Sequence, residues 1–466
     1  MKRIAIVLLS TVVCGTLASA KLNQQFEPEK DTSAFNGKPE VSFATDLSFY
    51  YQGLSQDYTG LGANAPTNIS GTTVGADGKR YFNNWSSHNH TTSTTSGVTS
   101  TTSGVESGLI LPTANLDIYA KIMSGFNVKL QTMLAGHHHN DTYVKGGYAT
   151  IDNLDFIAPG FLSDVMRNTT IKIGVNDINY GDDQYRRTDN ANVMRNPFIN
   201  NMAVDGYLQG THVEVLYRIP SISSFAMVGI TNNQANPQDT TATDYDANGG
   251  TASSDRYALY GKIGFDRQID DDTRFRITES VYFVDGSNRT DLYSSDKAGD
   301  VVRSVFGNAT DSAQTAGWNA ISGYVVTANG SIKSATAADI LASKTNLFFK
   351  YKDTELYGMY EILDGKDVAN KSMKMNHYAF DVVQRFYNDK FWVAGRYENA
   401  VVEYADAFND FGDAELTQYQ ATLGWFLSKN AVAKLEYIDQ KREKFAIYKN
   451  GDAEFKGFMV NASLSF

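Results

Sequence analysis

The run YGDDQYRRTDNANVMRNPFINN, Tyr180 to Asn201, packs Asp182, Asp183, Arg186, Arg187, Asp189 and Arg195 between two segments that alternate like β-strands. Opposite charges fixed at a narrow, low-dielectric throat create a transverse field that orients dipolar solutes. On a solvated surface loop the same run would only cap its neighbouring strands. The choice depends on the elements that carry it.

Other chemistries have less support. His137, His138 and His139, with His88 and His90, are able to ligate a transition metal, but adjacent histidines on a short loop lack a defined coordination geometry, and no metal site is expected. The chain has no Gly-x-Ser-x-Gly elbow, His-Glu-x-x-His pair or phosphate-binding glycine loop. His212 and His377 alone fall in strand-like stretches, and no recognisable motif surrounds either. The expectation is a protein without catalysis or cofactor.

The first twenty residues, MKRIAIVLLSTVVCGTLASA, combine a basic start, an apolar stretch and a small-residue end, as a secretory leader does. Val13 before Cys14 argues against lipoprotein processing, so the mature chain is expected to begin at Lys21 without any cysteine. Losing Lys2 and Arg3 takes the net charge from −11 to −13, which argues against nucleic acid as a partner. Beyond the leader no apolar run reaches the roughly 20 residues of a membrane-spanning helix. Yet the chain has 27 Tyr and 26 Phe against 8 Pro. These features point to an all-β transmembrane antiparallel barrel.

Periodicity agrees. In FKGFMVNASLSF, the residues Phe458, Val460, Ala462, Leu464 and Phe466 alternate with mostly small or polar ones. NLDIYAKI sets Leu116, Ile118, Ala120 and Ile122 against Asp117, Tyr119 and Lys121, and a tight Ser124-Gly125-Phe126 turn leads to NVKLQTML. Repeated along the chain, this yields about 16 strands, with 14 or 18 open as alternatives; YVKGGYATID and KIGVNDINY are the least secure. Short links alternate with long polar ones, as periplasmic turns do with extracellular loops. The division is a leader over 1–20, a short periplasmic segment over 21–40, and a barrel over 41–466 with an insertion at 181–201. Thr92 to Val105, a tandem polar heptapeptide, reads as surface loop.

Signal, strand number, loop asymmetry and terminal Phe466 together resemble the bacterial outer-membrane porin superfamily, the sixteen-stranded general and anion-selective porins. The resemblance covers nearly the whole mature chain and is architectural. It implies passive diffusion of small hydrophilic solutes, a homotrimer in outer-membrane lipid, and a terminal Phe466 read by the barrel assembly machinery. It also implies a third outward loop folded into the lumen, where Asp182, Asp183, Arg186, Arg187, Asp189 and Arg195 would form the constriction. With as many arginines as aspartates, this loop departs from the acidic pattern of the best-known general porins, so their cation preference does not carry over.

Alternation turns Lys121, Lys129, Lys172, Lys262, Arg274, Arg276, Lys350, Arg396 and Lys434 inward, against fewer acids such as Asp117, Glu214, Glu361, Glu398 and Glu436. A basic wall suggests anion preference. Inward Tyr119, Tyr282 and Tyr357 are either wall fillers or a slide for carbohydrate rings. Glu279 falls among lipid-facing residues, which calls for an interfacial position, a bulge or a neighbouring subunit. The alternatives to a general pore are a selective channel for anions or oligosaccharides and a non-conducting adhesive or structural barrel.

Overall fold

The computed structural model describes residues 24–58, 72–74, 80–82, 107–134, 142–188, 193–204, 206–232, 257–287, 292, 301–302, 338–366, 372–404, 412–444 and 452–466. The leader, Asp189, the loop histidines 88, 90 and 137–139, and the heptapeptide repeat lie outside the described residues.

Sixteen antiparallel strands close into one barrel. They are β1 (Glu40–Tyr58), β2 (Gly108–Met123), β3 (Phe126–Leu134), β4 (Thr142–Ile151), β5 (Thr169–Asp177), β6 (Gln209–Ile219), β7 (Ser224–Thr231) and β8 (Ala258–Gln268). The second half comprises β9 (Thr273–Ser287), β10 (Ala338–Tyr351), β11 (Thr354–Lys366), β12 (Ser372–Phe386), β13 (Phe391–Tyr404), β14 (Ala414–Ser428), β15 (Ala431–Glu443) and β16 (Ala453–Ser465). The strand count is the expected sixteen, and the two least secure segments are β4 and β5. A separate hairpin, Thr72–Val74 with Arg80–Phe82, belongs to the first long loop.

Closure satisfies the backbone groups that an open sheet would leave bare. β1 pairs with β2 on one side and β16 on the other. Beyond Asp46↔Ser465, the Thr45 and Phe466 backbones exchange hydrogen bonds of 2.7 and 3.0 Å.

Alternation sorts the side chains. Phe43, Phe49, Leu130, Ile263, Phe283, Leu347, Phe380, Leu423 and Val460 point outward and are exposed, whereas inward positions such as Lys262, Arg276, Lys344, Glu361, Asp381, Glu398 and Glu436 are buried. Glu279 does face outward, and its carboxylate accepts hydrogen bonds from the Ser343 and Thr345 hydroxyls of β10. The strand stays in register there, so no bulge is involved.

Links fall into two classes. One end of the barrel carries turns such as 124–125, 220–223, 269–272, 352–353 and 429–430, plus the longer 152–168 with its short helix Ser163–Met166. The other end carries most of the long connections, including 178–208 between β5 and β6.

Candidate functional site

The described residues of the 178–208 connection turn back into the barrel, because the inward wall of β8–β15 supplies partners for many of their polar groups. Gly181 N–H donates to Ser280 at 3.1 Å and Asp182 N–H to Asn346 at 3.0 Å. Gly181 has φ +72°, and a Cβ there would lie 2.5 Å from the Lys344 stem, so glycine suits both the backbone and the close approach. Asp182 is gripped by Arg276, with Nε and Nη2 each 2.8 Å away, and by Lys262 at 2.5 Å. Asp183 meets Lys344 at 2.7 Å and the hydroxyl of Tyr357. Burial alone would raise both acids, but the Arg276 and Lys262 charges hold Asp182 well below the usual carboxylate range, and Lys344 does the same for Asp183.

Arg186 reaches Asp381 at 3.1 Å and lies 4.5 Å over the Tyr357 ring, while Arg187 stacks 4.2 Å over Tyr207. Further along, wall carboxylates receive main-chain donors. Glu436 accepts the Ile199 N–H at 2.6 Å, and Glu398 accepts those of Ala203 and Val204 at 2.8 Å each. Lys434 donates to the carbonyls of Val193, Asn196 and Phe198 at 2.6–3.0 Å. Such contacts satisfy the backbone of a buried loop. His377, buried, sits 3.1 Å from both Glu361 and Glu398 and ties together two of the carboxylates that hold the insertion.

A second segment enters from the short-turn end. Phe26 is buried against Tyr185 and Phe348, with ring centroids 6.0 and 5.5 Å away. Glu27 binds Lys262 at 2.9 Å and Arg276 at 2.8 Å. Lys30 donates to Thr169 O at 3.0 Å and to the carbonyls of Asp152 and Met166; burial lowers its pKa. Asp31 meets Lys121 at 3.0 Å and Asn127 at 2.9 Å.

The opposite wall receives less of the insertion among the described residues, although Asp117, Gln131 and Lys145 on it are buried. Tyr119, Lys129 and Tyr148 lie in one lateral row across β2, β3 and β4, and Lys172 on β5 joins them. Tyr119 keeps 38% of its surface exposed although it points inward, with its hydroxyl 3.0 Å from Asp117. Lys129 Nζ lies 5.2 Å from the Tyr119 ring centre and Lys172 Nζ 4.9 Å from that of Tyr148, an alternating cation–aromatic ladder. Gly174, φ +141°, faces Tyr148, and a Cβ there would strike the Gly147 carbonyl at 2.3 Å. Arg195 is half-buried, and no hydrogen bond or ion pair reaches it among the described residues. Burial lowers its pKa, against the nearby Tyr119 and Asp46.

The residues singled out from sequence therefore divide. Asp182, Asp183, Arg186 and Arg187 are buried in the insertion, the first three engaged by the wall, and Arg195 stands toward the opposite wall. Of the basic wall, Lys262, Arg274, Arg276, Arg396 and Lys434 are consumed by carboxylates or loop carbonyls, and Lys350 stands 3.5 Å from Glu355. Lys121 meets Asp31, and Lys129 meets Asp117 at 2.7 Å. Tyr282 and Tyr357 are buried, unlike Tyr119. Sequence reasoning did not single out Phe26, Glu27, Asp381 or Tyr148. Asp381 was findable as an inward acid in an alternating strand, but nothing in the pattern of residues 24–31 signals a lumen.

No family model matches the chain, and no curated protein matches it. Among solved structures, the outer membrane channel DcaP of Acinetobacter baumannii is similar at 10% identity and TM-score 0.48, covering 93% of this chain and 99% of that one. The anion-selective porin from Comamonas acidovorans has 9% identity, TM-score 0.45 and coverage of 92% and 100%. OmpT of Vibrio cholerae, outer-membrane expressed, has 11% identity, TM-score 0.45 and coverage of 94% and 100%. These likenesses are too distant to carry an argument about what passes through this barrel.

Proposed function

We propose that the protein is a bacterial outer-membrane porin, a passive channel for small hydrophilic solutes that acts by size exclusion and electrostatic selection, without covalent chemistry. The observation that carries this is the asymmetry of the lumen: among the described residues the insertion docks on β8–β15, while along β2–β5 Tyr119 stays exposed and Lys129, Tyr148 and Lys172 are only half-buried. Sixteen strands are enough for an aqueous lumen, and the apolar exterior fits lipid.

In this reading Asp182, Asp183 and Arg186 set the size of the passage by docking the loop, since their charges are neutralised by the wall. Arg195, near Tyr119 and Asp46, supplies the field. Lys129 is neutralised by Asp117, so Lys172, which donates to the Asp177 carbonyl, gives a modest anion preference. The ladder also favours a second, narrower reading, a channel selective for anionic or ring-bearing solutes, since tyrosine faces stack on rings. An N-terminal leader, homotrimer formation and recognition of Phe466 by the assembly machinery complete the proposal.

The test is planar-bilayer conductance with the reversal potential in a salt gradient. Stable channels whose anion preference falls in Arg195→Ala and Lys172→Ala support the reading. Absence of conductance in every preparation points instead to an adhesive or structural barrel.

A further inference from the structure

The segment Gln24–Asp31 runs along the short-turn mouth from Asn127 on β3 to the underside of the insertion. Among the described residues, every hydrogen bond it makes involves a side chain. No strand pairing holds it, as strand pairing begins at Glu40. Its tip is nonetheless deeply lodged. Gln24 donates to the Tyr185 carbonyl at 2.9 Å, and Arg274 donates to the Gln24 carbonyl at 2.7 Å. Arg276 stacks 4.1 Å from the Phe26 ring centre. Gln25, Pro28 and Glu29 stay exposed.

The charges explain why Glu27 belongs there. Lys262, Arg274 and Arg276 form one cluster of three cations. Asp182 binds two of them, and Asp266 binds Arg274 at 2.7 Å and Arg276 at 3.0 Å. Two carboxylates cannot neutralise three cations, of which Lys262 and Arg276 are buried and Arg274 is half-buried, and Glu27 is the third, with its side chain 8% exposed. An uncompensated buried charge is costly, so the wall is built to receive a carboxylate at this place. The segment itself supplies it, together with an aromatic ring that fills the apolar cleft among Phe348, Tyr357, Met359 and Met202.

We infer that Gln24–Asp31 is a latch: an intramolecular ligand, lodged by Phe26 and Glu27 in the Lys262–Arg274–Arg276 cradle, that narrows the short-turn mouth and pins the inserted segment from beneath. The inference rests on the channel reading above. The latch is joined to the insertion through shared cations, because Arg276 and Lys262 each bind Glu27 and Asp182 at once. Its departure therefore leaves the Asp182 anchor with an excess positive charge and loosens the insertion along with the mouth. Anchors at Lys30 and Asp31 keep the base of the latch near β3–β5, so only the tip needs to move.

The experiment compares single-channel conductance of the full chain with that of Phe26→Ala/Glu27→Gln in the same bilayers. The double variant should conduct at least about two-fold more or show frequent excursions to a larger level, as removal of an obstruction from a hydrated pore would give. A second preparation, Phe26→Ala/Glu27→Gln that also carries Gln24→Cys/Tyr185→Cys, guards against a folding defect. Bridging the two thiols with a short crosslinker should abolish the large level. Conductance that is present but equal in wild type, double variant and crosslinked protein overturns the latch and leaves the channel standing. Silence in all three overturns the channel reading and the latch with it.

Discussion

Arg186 of the insertion and Asp381 of β12 form a buried ion pair, Nη2 to Oδ2 3.1 Å, and the same carboxylate holds Arg396 of β13 at 2.7 Å. One acid thus neutralises an arginine from the loop and another from the wall. Asp381→Ala strands both, and breaking a buried ionic contact in this way costs about 3–5 kcal/mol. The variant should show a lowered unfolding midpoint and rapid proteolysis within 178–208. Wild-type behaviour in both assays would show that the pair does not hold the loop.

Glu436 is an acceptor-only site. It receives the N–H groups of Ile199 and Asn200, the Asn200 and Gln420 amides, and the Thr422 hydroxyl. Glutamine brings an NH2 among donors and cannot replace it. Glu436→Gln should therefore destabilise nearly as much as Glu436→Ala, by about 1–3 kcal/mol in chemical unfolding. A silent Gln variant would contradict this arrangement.

Docking of the insertion should depend on acid pH. Asp182 and Asp183 have folded-state pKa values depressed below the ordinary 3.8. A depressed carboxylate contributes stability that is complete above the unfolded value and is lost as pH falls through the folded one. The insertion should stay docked down to about pH 4 and loosen only well below it. Trp392, whose indole donates to the Pro197 carbonyl at 3.0 Å, reports this directly. Its emission should change in that acid range, and Trp392→Phe should remove the change. Release between pH 5 and 7 would refute the assignment.

Glu279 tests how the outer surface tolerates a carboxylate. Ser343→Ala/Thr345→Ala removes both hydroxyl donors and leaves the acid bare, at a cost of about 1–3 kcal/mol. Converting all three positions to apolar residues should be close to neutral, or stabilising, in lipid. Equal losses in the two constructions, measured by unfolding in bilayers, would argue for a role beyond self-satisfaction.

The barrel was legible because period two survives in most strands: the same alternation that placed Phe458 and Val460 outward also placed Lys434 and Glu436 inward. Register was equally legible at Glu279, which broke the pattern and does face out. The fate of the charges was not. Sequence shows that Asp182 and Arg276 are both charged and that Arg276 points inward, but 94 positions separate them, and only closure brings them to 2.8 Å. Likewise nothing near Phe26 distinguishes an exposed lead from a lodged one, because its partners Arg276 and Phe348 lie on strands far along the chain. Short-range pattern fixes which way a side chain points. Which charges cancel is decided by contacts that no local pattern encodes.

The unequal filling of the lumen has a genetic consequence. Behind β8–β15 the wall, insertion and latch form what is in effect a soluble protein's polar core enclosed by the barrel sheet. Substitutions there should surface as assembly or abundance defects. The alleles that alter permeation while leaving protein levels intact should cluster on β2–β5 and at Arg195. A survey scoring uptake and expression together would divide the barrel into these two sectors.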